Sequence, residues 1–527
     1  MPAGPRPSTP PLPLAEIARI AGATRTGAAA DDLDPGVTGV THDSRDVRPG
    51  DLYAALPGFR THGAEFVGQA AGAGAVALLT DPEGEERAVA TGLPVLVVDD
   101  PRARLGAVAS AVYADPSHDL VVVGITGTNG KTTTSYLVDA GFRAAGHVTG
   151  VIGTVGTRVG DEVVATARTT PEAADVHALL AVMRERGVTA VTMEVSSHAL
   201  RLGRVDGVRF DVAGFTNLTE DHLDFHTGMD DYFDAKAELF TTARTARAVV
   251  CVDDAWGHRM VERATAGGLE PTTYAITTSA DWTVDGLVAV PGGSVARAHG
   301  PGGDDVPLEV RLPGEFNLAN ALGALALLAA AGVEPLLAAD GIAACEGVPG
   351  RMERVTDPDV GRGLLALVDY AHTPDAVSRA VAAAREGLRG KVIVVLGAGG
   401  DRDPHKRPAM GEAAAQGADV VVVTDDNPRS EDPADIRAAV LSGATGVSAA
   451  RVVEVAGRDR AIHVAVHAYA APGDVLLVLG KGHEQGQEVA GVVTPFDDRV
   501  VLAAALTPDD DRDEGTDDGA DAAGGTS

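Results

Sequence analysis

A chain of 527 residues is too long for one ordinary hydrophobic core and suggests about three or four domains. Its formal net charge of −32 argues against a general nucleic-acid or acidic-membrane binder, which needs a broad basic surface. With 45% hydrophobic and 22% charged residues it has a globular composition, and no run of about 18 apolar residues is present to span a membrane.

The N-terminus, MPAGPRPSTPPLP, lacks the basic start and apolar stretch of a signal peptide and reads as a disordered lead over residues 1–12. Residues 13–115 form a mixed α/β segment in which THDSRDVRPGDLYAALPG predicts strand, turn and strand. From Leu120 a second domain, 116–352, opens with the buried strand VVVGIT, a Gly-rich turn and the helix TTTSYLVDAGFRAAG. AVTMEV (190–195), FDVAGFT (210–216) and AVVCVD (248–253) are further buried strands, and NLANALGALALLAAAG (317–332) is a helix. A third domain, 353–506, carries the strands LLALVDY, KVIVVLGAG, ADVVVVTDD and DVLLVLG, with helical patterns such as TPDAVSRAVAAAREGL and PADIRAAVLSGA separating the first three. This alternation predicts parallel doubly wound sheets with ligand loops at strand C-termini. The end, 507–527, is an acidic tail with eight carboxylates against one arginine between Asp509 and Asp521, which predicts a disordered, solvated segment. The two cysteines, Cys251 and Cys345, form no CxxC, and Cys251 in AVVCV reads as a buried inert thiol; a reducing cytoplasm is expected.

The strongest single motif is Gly127, Thr128, Asn129, Gly130, Lys131, Thr132, Thr133 between a buried strand and a helix. Glycines let backbone N–H groups converge on phosphate oxygens, and the helix N-terminus adds partial positive charge. Lys131 would reach the β/γ-phosphates, and a following threonine hydroxyl would ligate Mg²⁺. The generic P-loop carries a glycine six residues before the lysine, where this chain has Ile125.

GTNGKTT instead resembles the variant loop of Mur ligases and folylpolyglutamate synthetases. The resemblance extends from about Thr41 to Phe496 through THDSR, GDLYAALPG, RTTPE, MEVSSHAL, TNLTEDHLDFH, YFDAKAELF, FNLANALGA, PGRME, VDYAHTPDA, GAGGDRDPHKRP, TDDNPR and GKGHE. On those motifs the chain is identified as a member of the Mur ligase family. The resemblance implies an α/β protein of three domains: an N-terminal uridine-binding domain, a central P-loop ATPase-like domain and a C-terminal Rossmann-like domain.

It also implies roles. Thr132 and Glu194 would coordinate the Mg²⁺ bridging the ATP phosphates, with Asn320 and Arg351 at the nucleotide. His222 and Lys236, the latter as a carbamate, would hold a second Mg²⁺. Independently, the helical reading of DYFDAKAELF places Lys236 on an apolar face with Tyr232, Phe233, Leu239 and Phe240, where burial favours the neutral amine that CO₂ carbamylates. His42, Ser44, Phe59, Arg60 and Thr61 match the positions that bind UDP, and Thr169, Thr170, Ser196 and Arg204 those that hold the muramoyl peptide. Two departures stand out: His42 where some relatives have leucine, and Leu202 where they often have glutamine.

The motif Asp426, Asn427, Pro428, Arg429 marks diaminopimelate-adding members, and Arg402, Gly480 and Glu484 complete that matched site. The expected reaction is ATP-dependent addition of meso-diaminopimelate to the D-glutamyl carboxylate of UDP-N-acetylmuramoyl-L-alanyl-D-glutamate through an acyl phosphate, by a monomer without nucleic-acid partners. A lysine-adding or folylpolyglutamate synthetase-like ligase, and a nucleotide-binding protein that ligates nothing, are the alternatives.

Overall fold

The computed structural model describes residues 5–27, 33–58, 61–164, 166, 168–290, 292–355, 363–386, 390–447 and 449–507. The chain divides into two compact units between Val348 and Pro349. Among the described residues no helix is long and apolar enough to cross a membrane. The acidic run 509–521 lies outside the described residues.

The first unit holds two large sheets. The smaller has five strands in the order Thr24–Thr26, Val95–Val97, Ala77–Thr80, Asp51–Ala54, Gly39–Thr41, all parallel except the first. Gly39–Thr41 and Asp51–Ala54 are the strands expected around the DSRDVRPG turn, and they lie parallel rather than as a hairpin. Strands this short span only roughly 10–13 Å, so the connection 42–50 can return without a helix.

The proline-rich lead departs from the expectation of disorder in its described part. Arg6 donates to the Val40 carbonyl at 3.1 Å and the Tyr113 hydroxyl at 2.7 Å, and pairs with Asp51 at 3.2 Å. Thr9 donates to the Thr38 carbonyl, and Leu12–Pro13 pairs with Gly36–Val37. Prolines suit such an edge because they have no N–H to leave unpaired. Composition gave no sign of this, since Arg6's partners lie far along the chain.

The larger sheet runs Glu162–Val164, Gly156–Val159, Thr149–Gly153, Ala190–Glu194, Val121–Thr126, Phe210–Phe215, Thr245–Cys251, Thr272–Tyr274, parallel from the third strand onward. The four apolar runs read as strands occupy adjacent positions at its centre, as continuous hydrophobic strands buried on both faces must. Helices Lys131–Ala144 and Glu315–Ala330 share a core with Val123, Ile125, Val212 and Val249. Helix Pro101–Val112 of the smaller sheet packs Leu105, Val108 and Ala109 with Ala174, Ala178 and Ala181 of helix Ala173–Glu185 in another core. An antiparallel sheet of Thr283–Val290, Gly293–His299 and Asp305–Val310 was not foreseen. Its last strand alternates exposed and buried residues, the period-2 signal of a one-sided sheet.

The second unit has one six-stranded sheet in the order Glu353–Arg354, Leu365–Asp369, Val475–Leu479, Val392–Leu396, Val420–Val423, Arg451–Glu454, parallel except for the first. Helices Pro374–Arg385 and Pro433–Ala444 fall where the periodicity placed them. Arg458 is wholly buried and forms a two-point pair with Asp498 at 2.7 Å, while donating to the Leu479 carbonyl at 2.8 Å. That bidentate geometry offsets the desolvation of two buried charges. Cys251 is buried as expected, and burial pushes its thiol up to about 12, which keeps it protonated and inert.

Candidate active site

The C-terminal ends of Val121–Thr126, Ala190–Glu194 and Phe210–Phe215 are neighbours, so the segments that follow them converge. The first is the phosphate loop. Gly127 has φ 145° and a Cβ there would stand 1.9 Å from the Thr216 hydroxyl; Gly130 has φ 86° and a Cβ would meet Asn320 Oδ1 at 2.3 Å. Only glycine fits both places. Gly130 leaves the N-terminus of helix Lys131–Ala144 without a side-chain cap, so its first N–H groups face the loop. Lys131 curls over the same loop, donating to the carbonyls of Gly127 at 2.9 Å and Thr128 at 2.8 Å.

The loop is clamped by 216–219. Thr216 donates to the Asn129 carbonyl at 2.6 Å, Asn217 Oδ1 accepts from the Asn129 N–H at 3.0 Å, and Thr128 N–H donates to the Asn217 carbonyl at 3.0 Å. Thr128 Oγ1 also shares a hydrogen bond with the Tyr232 hydroxyl at 3.1 Å. These bonds hold the loop in shape before any ligand arrives.

Glu194 closes the neighbouring strand, 1% exposed. Its Oε2 accepts from Thr132 Oγ1 at 3.0 Å and Thr154 Oγ1 at 2.9 Å, and its Oε1 from the Thr154 N–H at 2.8 Å. Thr132 and Glu194 therefore come together as expected, with Thr154 as an unforeseen third member. Thr154 also shares a hydrogen bond with Thr169 at 3.1 Å. Thr170 donates to the Glu194 carbonyl at 2.8 Å and accepts from the Ser196 N–H at 3.2 Å. Ser196 caps the helix Ser197–Arg201 by accepting from the Ala199 N–H.

Arg204 adjoins this row, donating to the Thr170 carbonyl at 3.4 Å and pairing with Glu172 at 3.0 Å. Arg102 and Arg168 reach the same carboxylate, at 3.1 and 2.9 Å. Burial would raise the Glu172 carboxyl, but Arg204, then His42, Arg102 and Arg168 outweigh it and hold it below its ordinary value. Three guanidinium groups around one carboxylate leave surplus positive charge in an otherwise acidic protein.

Lys236 lies on helix Met229–Ala237 with Tyr232 and Phe233 buried beside it; Leu239 and Phe240, also buried, lie just beyond the helix end. Its amine donates to the Gly127 carbonyl at 2.8 Å and stands 4.4 Å from the Tyr232 ring centre. Burial, reinforced by Lys131 and only partly opposed by Asp221, pushes its pKa well below the ordinary lysine value. The amine is thus placed directly under the phosphate loop, where burial shifts it towards its neutral form.

His222 has φ 56°, in the left-handed region. Its imidazole stands 3.5 Å from Asp221 and packs edge-on to His198 at 4.9 Å. Although 40% of the side chain remains exposed, loss of solvent, with His198, Lys131 and Lys236 against Asp221, brings it down to about 4. Neutral imidazole is the metal-binding form. Among the described residues no group of three His, Cys, Asp or Glu is assembled as a cation cage. The oxygen pair Thr132–Glu194 suits a hard ion such as Mg²⁺, which keeps several waters and is completed by substrate phosphates.

His226 accepts or donates at 3.0 Å to Ser197 Oγ and contacts Asp231 at 3.3 Å, an order of groups also used by serine hydrolases. Ser197 is 1% exposed, so its hydroxyl has no access to a substrate carbonyl and the trio braces the segment carrying His222.

Of the residues expected at UDP, Ser44 is buried and donates to Gln69 Oε1 at 3.1 Å, His42 is half-buried, and Thr61 is exposed. Phe59 and Arg60 lie outside the described residues. Asn320 packs on Gly130 and accepts from Thr134 Oγ1 at 3.5 Å. Arg351 belongs to the second unit, where it stacks 4.5 Å over the Tyr370 ring.

In the second unit the loops 397–403, 424–429 and 480–484 all leave the C-terminal edge of the sheet. Asn427 donates to Glu484 Oε2 at 2.7 Å, and a Cβ on Gly480, at φ 114°, would stand 2.6 Å from Asp426 Oδ2. Arg429 follows Pro428 with φ 53°, pinned by backbone hydrogen bonds to Glu488 and Ala490 of the hairpin 486–495. A left-handed arginine is strained by about 1–2 kcal/mol, and such strain persists where the surroundings over-determine it. Its guanidinium donates to the Gly400 carbonyl and stands 3.6 Å from Glu488. Arg402 is exposed on the neighbouring loop. Lys481, buried and hydrogen-bonded to both Asn427 and Glu484, was missed; the lysine between two glycines after an apolar strand was the available signal.

The chain is similar to known proteins along most of its length. Residues 36–113 match the Mur ligase family, catalytic domain; 125–328 the Mur ligase middle domain; and 350–482 the Mur ligase, glutamate ligase domain. A Streptomyces avermitilis protein named UDP-N-acetylmuramoyl-L-alanyl-D-glutamate--2,6-diaminopimelate ligase is 55% identical over 96% of this chain and 98% of its own. A Leifsonia xyli protein named UDP-N-acetylmuramyl-tripeptide synthetase is 44% identical over 94% and 96%. The solved structure of a UDP-N-acetylmuramoyl-L-alanyl-D-glutamate--2,6-diaminopimelate ligase superposes with a TM-score of 0.65 at 33% identity, covering 90% of this chain and 96% of that one. Mycobacterium tuberculosis folylpolyglutamate synthase, complexed with ADP and AMPPCP, gives 0.58 at 19% identity over 75% and 92%, a likeness of fold alone.

Proposed function

The chain belongs to the Mur ligase family, and we propose that it adds meso-diaminopimelate to the D-glutamyl carboxylate of UDP-N-acetylmuramoyl-L-alanyl-D-glutamate at the expense of ATP. The observation that carries the amino-acid assignment is that an arginine fork, Arg429, and a carboxylate, Glu484, lie on loops leaving one edge of the second unit's sheet, where Asn427 of the Arg429 loop donates to Glu484 at 2.7 Å. One anchors a carboxylate and the other an ammonium, the two groups at the distal end of diaminopimelate.

The γ-phosphoryl of ATP passes to the glutamyl carboxylate, forming a C–O–P linkage and releasing ADP. The incoming amine then attacks the acyl carbon, loses a proton, and inorganic phosphate leaves. Lys131 and the N–H groups at the start of its helix hold the phosphates, and the clamp 216–219 keeps them in place. Thr169, Thr170, Ser196 and Arg204 take the muramoyl peptide, with Arg102 and Arg168 adding positive charge; Ser44, His42, Thr61, Phe59 and Arg60 take the uridine end. Asn320 completes the nucleotide site within the first unit, and Arg402, Asp426, Asn427, Pro428 and Gly480 shape the amino-acid site within the second. Mg²⁺ held at Thr132 and Glu194, and a second ion at His222 and carbamylated Lys236, would neutralise the charge that gathers between nucleotide and acceptor. The three-domain division at about 115 and 352, and a cytoplasmic location where the precursor is made, belong to the same reading.

Lysine differs from diaminopimelate only in lacking the distal carboxylate, and would leave Arg429 partly desolvated without its partner. Because truncating one side of such a pair costs about 3–5 kcal/mol, Arg429→Ala should lower the ratio of kcat/KM for diaminopimelate over lysine by about a hundredfold or more. Comparing both amino acids in wild type and variant checks it. A wild type that prefers lysine, or an unchanged ratio in the variant, would refute the assignment.

A further inference from the structure

Lys481 has no role in the reading above, yet its side chain is completely buried and its ammonium touches the site's own residues. It donates to Asn427 Oδ1 at 3.0 Å and to Glu484 Oε2 at 3.1 Å, and stands 3.8 Å from Asp426 Oδ1. Asn427 Nδ2 reaches the same Glu484 oxygen at 2.7 Å, so both donors fall on Oε2. Among the described residues no donor meets Glu484 Oε1, and the side chain is 32% exposed. Glu484 is thus held by one oxygen with the other left for a ligand.

A buried ammonium is retained only with partners that repay its desolvation. Here those partners are the Glu484 carboxylate and the Asn427 amide oxygen, with the Asp426 carboxylate 3.8 Å away. Of the charged residues assigned to the amino-acid site, Asp426 and Glu484 are negative and Arg402 and Arg429 positive, while Glu488, 3.6 Å from Arg429, and Lys481 add one charge of each sign. With Lys481 the pocket is close to balanced and admits a group carrying both a carboxylate and an ammonium. Without it, three carboxylates would stand against two arginines, Arg402 and Arg429, a balance that disfavours a ligand carboxylate and favours a bare ammonium. We propose that Lys481 is a specificity-determining positioning residue, which fixes Glu484 and sets the local charge so that an amino acid with a zwitterionic distal end is taken in preference to one ending in an ammonium. This rests on the amino-acid assignment made above.

The test is amide formation by the full-length protein with diaminopimelate and with lysine, comparing wild type, Lys481→Met, Glu484→Gln and the double variant. Lys481→Met should lower the diaminopimelate-over-lysine ratio of kcat/KM by about tenfold or more, from a loss with diaminopimelate and a gain with lysine, as expected for removing one charge at this range. KM for ATP should move less than twofold. In the Glu484→Gln background the same change should have little further effect, because the two act as a unit. An equal loss with both amino acids, or an undiminished effect in the Glu484→Gln background, would show Lys481 to be a structural brace and overturn the proposal. Thermal unfolding identifies any variant that fails to fold, and Lys481→Gln, which is one atom shorter and neutral but keeps an N–H donor group, then carries the same measurement. Should wild type add lysine instead, the amino-acid assignment fails by itself; the Lys481 proposal then stands only if the ratio still shifts towards lysine.

Discussion

Lys131→Ala abolishes turnover: kcat/KM should fall by about a thousandfold or more, in line with the loss of a single preorganised charge aimed at a transferring group. The lysine is poised rather than free, resting on the Gly127 and Thr128 carbonyls of the loop it completes. The fold should survive, because Thr216, Asn217 and Thr219 hold the loop through bonds that do not involve the ammonium. ATP affinity measured calorimetrically should weaken together with turnover, while the circular dichroism spectrum and Tm stay near wild type. Activity at the wild-type level in a folded variant would remove the phosphate-loop assignment.

A loss of similar size, about a thousandfold by the same estimate, is expected for Lys236→Ala, with a different signature. Formate or acetate should partly restore the variant by standing in for a carbamate, and should do nothing for Lys131→Ala. Stability supplies an independent sign. The pKa of Lys236 is lower in the fold than its ordinary value of 10.5, chiefly because burial disfavours the charged form. The folded chain therefore binds fewer protons at this site than the unfolded chain between the two pKa values. Its destabilising burden is fully present below the folded pKa and is relieved as pH rises towards 10.5. Lys236→Met should thus lose activity yet gain Tm, with the larger gain at lower pH. A Lys236 variant fully active in CO₂-depleted buffer would eliminate the carbamate, and a variant destabilised at every pH would contradict the burial argument.

Much of this arrangement was legible because buried parallel strands are continuous apolar runs, and the loops that follow them carry glycines, charges and prolines. The phosphate loop, Glu194 at a strand end and Lys236 on an apolar helical face were all readable locally. What escaped was held by partners distant in sequence. Thr154 has no local mark, yet it makes three hydrogen bonds with Glu194 and Thr169. Asn217 binds Asn129 across the sheet, and Arg6 anchors a proline-rich lead to Asp51 and Tyr113. Glu172 gave no hint that three arginines converge on it, one of them, Arg102, from the helix that covers the smaller sheet. Lys481 is marked locally by two flanking glycines after an apolar strand, but its burial against Asn427 and Glu484 comes only with the fold.

As a Mur ligase, the chain joins an amino acid to a nucleotide-linked peptide carboxylate. The most direct test of this activity is to incubate the protein with ATP, Mg²⁺ and UDP-N-acetylmuramoyl-L-alanyl-D-glutamate, adding meso-diaminopimelate or lysine, and to weigh the nucleotide-sugar product while counting ADP. A product heavier by one diaminopimelate residue, one ADP released per amide formed, and little product with lysine are expected. ADP release without any amide product, or no reaction when all three substrates are present, would contradict that activity.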